Sequence, residues 1–107
     1  MQKNLIMKIY RMMQQDELSM WMREMILKYI DITFKYEYSE YRKRFLISFS
    51  KKKKDSSFWK DLVKFNEDMD KQYSILERPL LCENEKIFKL SENAKIINYD
   101  NIQTENV

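Results

Sequence analysis

Apolar residues return every three or four positions along most of this chain. Leu5, Ile6, Ile9, Tyr10 and Met13 recur at helical spacing and predict a first helix over 4–15. Asp16 follows as a cap candidate, with Glu17 in the first turn of what comes next. Leu18, Met22, Met25, Tyr29 and Ile32 form one stripe. Ile26, Ile30, Phe34 and Tyr38 form a neighbouring one, which Tyr41, Phe45 and Phe49 continue. The pattern predicts a second helix over 17–49. Phe58, Leu62, Phe65, Met69, Tyr73 and Leu76 then make the clearest helical stripe, spaced 4-3-4-4-3, and predict a third helix over 57–77. Asp55, Ser56 and Ser57 are its cap candidates. It is expected to end within a few residues of Pro79, because the residue before a proline is pushed out of the α region.

One segment supports a competing pattern. Residues 32–38 alternate apolar and polar side chains and are rich in β-formers, with Arg44 to Phe49 as a possible partner strand. The link from Ser39 to Lys43 has neither Gly nor Asn, which disfavours a two-residue turn, so helix is the preferred expectation there. After Pro79 the character changes. Residues 86–90 and 95–99 read as a small hairpin, with Asn93 able to take a left-handed turn position. The last seven or eight residues are polar and expected to be extended or disordered. The expected fold class is therefore mainly α. It is a three-helix, bundle-like single domain over 1–107, with a short extended or β-hairpin tail over 79–107.

Composition narrows the chemistry. The 107 residues include no glycine and no histidine. Phosphate-cradling loops and nucleophile elbows need a backbone position that a Cβ would block. Without imidazole there is no side chain titrating near pH 7 and no His metal ligand. The single cysteine, Cys82, cannot build a thiolate metal site, and its acidic neighbours Glu83 and Glu85 disfavour a reactive thiolate. Glu67, Asp68 and Asp70 are the densest carboxylate group. They lack the glycine and distal Glu of a calcium loop, and a solvated helix face accounts for them. The expectation is a protein without catalytic residues, metal or cofactor. The longest apolar runs are only a few residues, so no transmembrane segment is expected. Phe, Tyr, Met, Ile, Asn and Lys total 54 residues, against 7 for Gly, Ala, Arg and Pro. That bias points to an AT-rich genome, so mutational pressure accounts for part of the missing glycine.

Charge is blocky behind a net of +3. Residues 1–15 hold Lys3, Lys8 and Arg11 and no acid, a basic amphipathic start that suits an organelle-targeting segment or a helix on anionic lipid as well as a plain bundle helix. Residues 16–31 carry −2, and residues 32–54 carry +6. Arg42, Lys43 and Arg44, with the basic patch Lys51, Lys52, Lys53 and Lys54, form the strongest local field. Tyr36, Tyr38 and Tyr41 stand beside it. Aromatics among basic residues suit stacking on single-stranded nucleic acid, and equally suit anchoring a protein interface.

Ile9-Tyr10-Arg11, early in a basic amphipathic helix, resembles the Leu-Tyr-Arg signature of the LYR-motif family of small mitochondrial proteins. The tyrosine- and arginine-rich stretch to Phe49, the basic connection ending at Asp55 and the helix opening at Phe58 follow the family's outline over about residues 4 to 77. About ten more residues than usual separate the motif from the tyrosine-rich stretch. The resemblance implies a three-helix, non-catalytic accessory or adaptor subunit of a multisubunit complex, on the mitochondrial matrix side. It implies acyl carrier protein as partner, with its acyl chain threaded between the helices. Tyr10 and Arg11 would then face the carrier, Arg42, Lys43 and Arg44 would pair its acidic helix, and Phe49 would line the acyl path. The leading functional expectation is docking on a protein partner. The alternative is a small nucleic-acid-binding or host-takeover protein of viral or mobile-element type, using the basic stretch 42–54; such a protein would be cytoplasmic.

Overall fold

The computed structural model describes residues 2–105, and it is an α/β fold rather than the mainly α bundle expected from the periodicity. The elements are α1 (Gln2–Lys28), β1 (Ile32–Ser39), β2 (Arg44–Lys51), α2 (Ser56–Gln72), β3 (Leu80–Glu83), β4 (Lys95–Asn98) and α3 (Tyr99–Glu105). The four strands form one mixed sheet in the order β3-β2-β1-β4. β1 is antiparallel to both β2 and β4, and β2 is parallel to β3. A parallel pair needs a long crossover, and α2 supplies it.

The expected second helix over 17–49 does not exist as one element. Its first part continues α1 through Asp16, which sits in mid-helix and caps nothing. Its second part is the β1–β2 hairpin, in register from Ile32↔Lys51 to Ser39↔Arg44. The hairpin does without Gly or Asn because its loop has four residues, 40–43, rather than two. The Ser39 hydroxyl accepts from the Arg42 N–H at 3.0 Å, and the Ser39 carbonyl accepts from the Lys43 N–H at 2.7 Å. Lys43 takes the left-handed position itself, at φ 57°. The alternation over 32–38 therefore decides the structure: Ile32, Phe34 and Tyr36 face the core, and Thr33, Lys35 and Glu37 do not.

α2 confirms the clearest stripe in the sequence. Asp55 caps it, its side chain accepting from the Phe58 N–H at 2.9 Å. Phe58, Leu62, Phe65 and Met69 are buried on one face. The helix stops at Gln72, earlier than expected. Tyr73 turns extended, its ring stays in the core, and its hydroxyl donates to Glu17 of α1 at 2.7 Å. Leu76, the last member of the predicted stripe, is left exposed.

The main core lies between the helices and one face of the sheet. Leu18, Met22, Met25 and Ile26 of α1 meet Phe34, Ile47, Phe49 and Ile97 of the sheet and Phe58 and Phe65 of α2. A smaller cluster of Leu46, Cys82 and Phe88 covers the other face of β2. The predicted hairpin of 86–90 with 95–99 is not formed. β4 pairs with β1 instead, and the turn residues with positive φ are Asn84 and Glu85 rather than Asn93. Most of the segment expected to be extended or disordered is α3, anchored by buried Ile102; residues 106 and 107 lie outside the described residues.

Phe65→Ala is expected to lower stability by about 3–5 kcal/mol, as for other large buried aromatics. Denaturant unfolding of the variant checks it. A near-neutral result would place the α2 stripe outside the core.

Candidate functional site

Five of the six residues singled out as partner contacts meet at one end of the molecule, where α1 passes the β1–β2 turn. Arg11 lies flat over Tyr38, its Cζ 3.7 Å from the ring centroid, and pairs with Glu40 at 3.1 Å. Lys43 pairs with the same Glu40 at 3.7 Å. Arg44 donates to the Leu76 carbonyl at 2.7 Å and reaches back to the Arg42 carbonyl at 3.4 Å. Tyr10 donates to Glu77 at 3.4 Å and meets Tyr73 edge-on, with 6.2 Å between centroids. Partial desolvation and the nearby Glu77 carboxylate push the Tyr10 hydroxyl above its ordinary pKa. Together these groups leave a cleft of about 50 Å³ among Met7, Tyr10, Tyr38 and Lys43. Most of the arginine and lysine charge here is already matched by Glu40 or by backbone carbonyls. Arg42 is exposed at the tip of the turn.

Phe49 is elsewhere. It pairs with Phe34 across the hairpin, packs 5.5 Å from Phe58, and is 3% exposed. Phe49 therefore sits in the packed core and lines neither of the clefts between the helices.

The basic stretch 42–54 is divided. Arg44 and Lys51 stand at opposite ends of β2, roughly 23 Å apart for seven strand steps. Lys51 is structural rather than solvated: its side chain is only 4% exposed. Its ammonium meets Asp31 at 2.9 Å, donates to the Lys53 carbonyl, and lies 5.2 Å and 5.4 Å from the Tyr29 and Phe58 ring centroids. Lys54 pairs with Glu83. Lys52 and Lys53 are exposed, outside the ion pairs that Lys51 and Lys54 make among the described residues. The carboxylates Glu67, Asp68 and Asp70 are exposed on α2, and Asp70 pairs with Arg78. Among the described residues no group of three His, Cys, Asp or Glu side chains is placed to hold a metal ion, and no helix is long and apolar enough to cross a membrane.

Two larger clefts, of about 440 and 290 Å³, run between α1 and α2. Both are walled by the stacked Trp21–Phe65 pair, 3.6 Å between centroids, and by Asp68. Their linings carry the carboxylates Glu17, Glu24, Asp61 and Asp68 beside the lysines Lys28, Lys64 and Lys71.

The feature that periodicity concealed is the outer surface of α1. Leu5, Ile6, Met7, Ile9, Tyr10, Met12 and Met13 are all between 45% and 66% exposed. The helical spacing of Leu5, Ile6, Ile9, Tyr10 and Met13 predicts the helix but does not record that this surface stays exposed. The signal available in the sequence was that apolar residues surround this helix on nearly every side, more than one buried face requires.

The Asp31–Lys51 pair gives a pH signature. The hydrogen bond from Lys51 holds the Asp31 carboxyl below its ordinary value, against a smaller opposing effect of desolvation. Its contribution to stability is therefore present above the unfolded-state pKa of about 3.9 and lost as pH falls through the lowered folded value. Asp31→Asn is expected to cost about 1–3 kcal/mol at pH 7, between the exposed and buried limits for ion pairs. Unfolding curves of variant and parent should converge in strong acid. A pH-independent difference would assign the loss to another cause.

No protein-family model, curated protein or solved structure matches this chain.

Proposed function

We propose that this protein is a non-catalytic interaction module that docks on a protein partner through the outer face of α1. The observation that carries this is the run of seven exposed large apolar side chains between Leu5 and Met13. Tyr10 meets Tyr73 and Glu77, but the other six are not used by the body of the domain: among the described residues, the buried ones of α1 are Gln14, Leu18, Met22, Met25 and Ile26. Folding alone gives these side chains no role, whereas a partner surface would remove them from water. Arg11, Arg42 and Lys43 stand beside this arm, residues 5–13 of α1, as a basic rim, with Tyr10 as an aromatic at its edge. The three-helix architecture implied by the LYR-motif resemblance is replaced by a sheet, and Phe49 is in the core, so an acyl carrier partner is not part of this reading.

The geometry favours docking on protein over nucleic acid. A phosphate track needs consecutive unmatched cations, and here the basic stretch is split by the length of β2, with Arg44, Lys51 and Lys54 engaged by other parts of the chain.

The test compares the parent chain with Ile9→Glu combined with Met12→Glu. Both side chains are exposed, so thermal stability is expected to stay within about 0.5 kcal/mol of the parent. Association with a protein partner, read by sedimentation or by cross-linking mass, should be lost. Co-purifying nucleic acid, with a log–log salt slope of about −0.7 to −0.9 per phosphate contacted, would overturn the proposal in favour of the basic stretch.

A further inference from the structure

We infer that Asn101 ends the sheet: its side-chain amide occupies the free hydrogen-bonding edge of β4 and keeps a further strand from adding there. The α1 arm takes no part in this.

β4 is an edge strand, because the order is β3-β2-β1-β4. β1 takes the backbone groups on one side of β4, and those on the other side have no strand to meet. Two of these outward groups go to a single side chain. The Asn101 amide nitrogen donates to the Ile96 carbonyl at 2.8 Å, and the Asn101 amide oxygen accepts from the Asn98 N–H at 2.9 Å. A residue of a parallel neighbour strand, set opposite Ile97, would make the same two bonds. Its N–H would go to the carbonyl one residue before, and its C=O would take the N–H one residue after. A carboxamide carries the donor and acceptor of the backbone on one group. Asn101 therefore stands where one residue of a fifth strand would stand.

The same residues also cap α3. The Asn98 side chain accepts from the Asn101 N–H at 3.0 Å, which completes a reciprocal cap at the start of the helix. A cap accounts for the Asn101 oxygen but not for its nitrogen, since a carboxylate would accept from the Asn98 N–H equally well. The bond to the Ile96 carbonyl adds nothing to α3 and closes the edge instead. Ile102, the next residue, is buried in the main core and holds Asn101 against the strand. The strand itself does little to discourage pairing. In Lys-Ile-Ile-Asn the one charge is Lys95, there is no proline, and Ile96 is exposed.

The experiment separates the edge from the cap, using the full chain. Asn101→Ala removes both edge bonds. Asn98→Ala removes the side-chain acceptor of the cap but keeps the backbone N–H that Asn101 engages. Both variants lose part of the cap, so both should melt below the parent. Each is followed by sedimentation velocity over a concentration series and by thioflavin T fluorescence. Any association through the α1 arm is common to all the chains and is read in the parent. Asn101→Ala is expected to form larger species than the parent, with a rise in thioflavin T fluorescence. Asn98→Ala should sediment as the parent does. Adding Ile96→Lys to Asn101→Ala puts a second charge on the strand and should restore the parent's sedimentation. Asn101→Ala that sediments as the parent would overturn the inference. Equal association by Asn98→Ala would overturn it too, assigning the effect to a loosened α3. So would association that Ile96→Lys leaves intact, because the contact would then lie away from β4.

Discussion

The whole fold depends on the burial of β2 on both faces. Phe45, Leu46, Ile47, Ser48 and Phe49 are consecutive and all buried, which only a central, doubly covered strand allows. One face is covered by α1 and α2. The other needs the chain after β3 to fold back over Leu46 and Ser48, and it must do so without glycine. Asn84 and Glu85 both take positive φ to make the turn. The Asn84 N–H donates to the Phe49 carbonyl and the Glu85 N–H to the Ser48 hydroxyl, each at 2.8 Å. The Glu85 carboxylate then accepts from the Leu90 N–H at 2.8 Å, tying down the segment that carries Phe88. The only buried hydroxyl of the strand is thereby the acceptor that closes its own cover.

What could be read in the sequence follows from this arrangement. α2 was legible because it has one apolar face, one partner and a good cap in Asp55. β2 was illegible as a strand because burial on both faces erases the alternation that marks strands. Its apolar run fits a helix stripe equally well. β1 kept its alternation, and the hairpin was discounted only for want of a tight-turn residue, a requirement that a four-residue loop with Ser39 and Lys43 does not have. β3 and β4, four residues each, are too short to leave a period. They are fixed by pairing with β2 and β1, which no local pattern records. The candidate site was legible in part. Tyr10, Arg11, Arg42, Lys43 and Arg44 do converge, but Phe49 was placed on an acyl path by the family resemblance and Lys51 in a basic patch by its run of lysines, and the fold buries both side chains.

Lys51 shows why a run of like charges is a poor guide to a surface. Alternation along β2 turns it toward the helix side, opposite Ile32. There, Asp31, a backbone carbonyl and two rings surround its ammonium, and the methylene stem lies along apolar surface. Lys52 and Lys53 continue into a loop and stay exposed. Neighbours in sequence are thus separated by their direction on the backbone, and an apparent +6 block becomes two modest cationic ends.

The remaining question is how a helix extends so far beyond its own core. A free segment the length of the α1 arm would be marginally helical in water, because nucleation is costly. Here the C-terminal half of α1 is already fixed by Leu18, Met22 and Ile26, so the arm needs only propagation. Its residues are strong helix formers, with Leu, Met, Lys, Arg and Gln recurring from Leu5 to Gln15. Arg11 over Tyr38 and Gln14 to the Glu77 carbonyl at 3.4 Å hold its base. On the proposed docking reading, the arm presents its apolar side chains on a backbone ordered before any partner arrives, which cuts the ordering cost of association. Methionine adds to this: Met7, Met12, Met13 and Met20 are exposed, unbranched and adaptable, able to fit an uneven surface without a change in the backbone beneath. Rigidity in the helix and softness in its side chains are the combination a docking face requires.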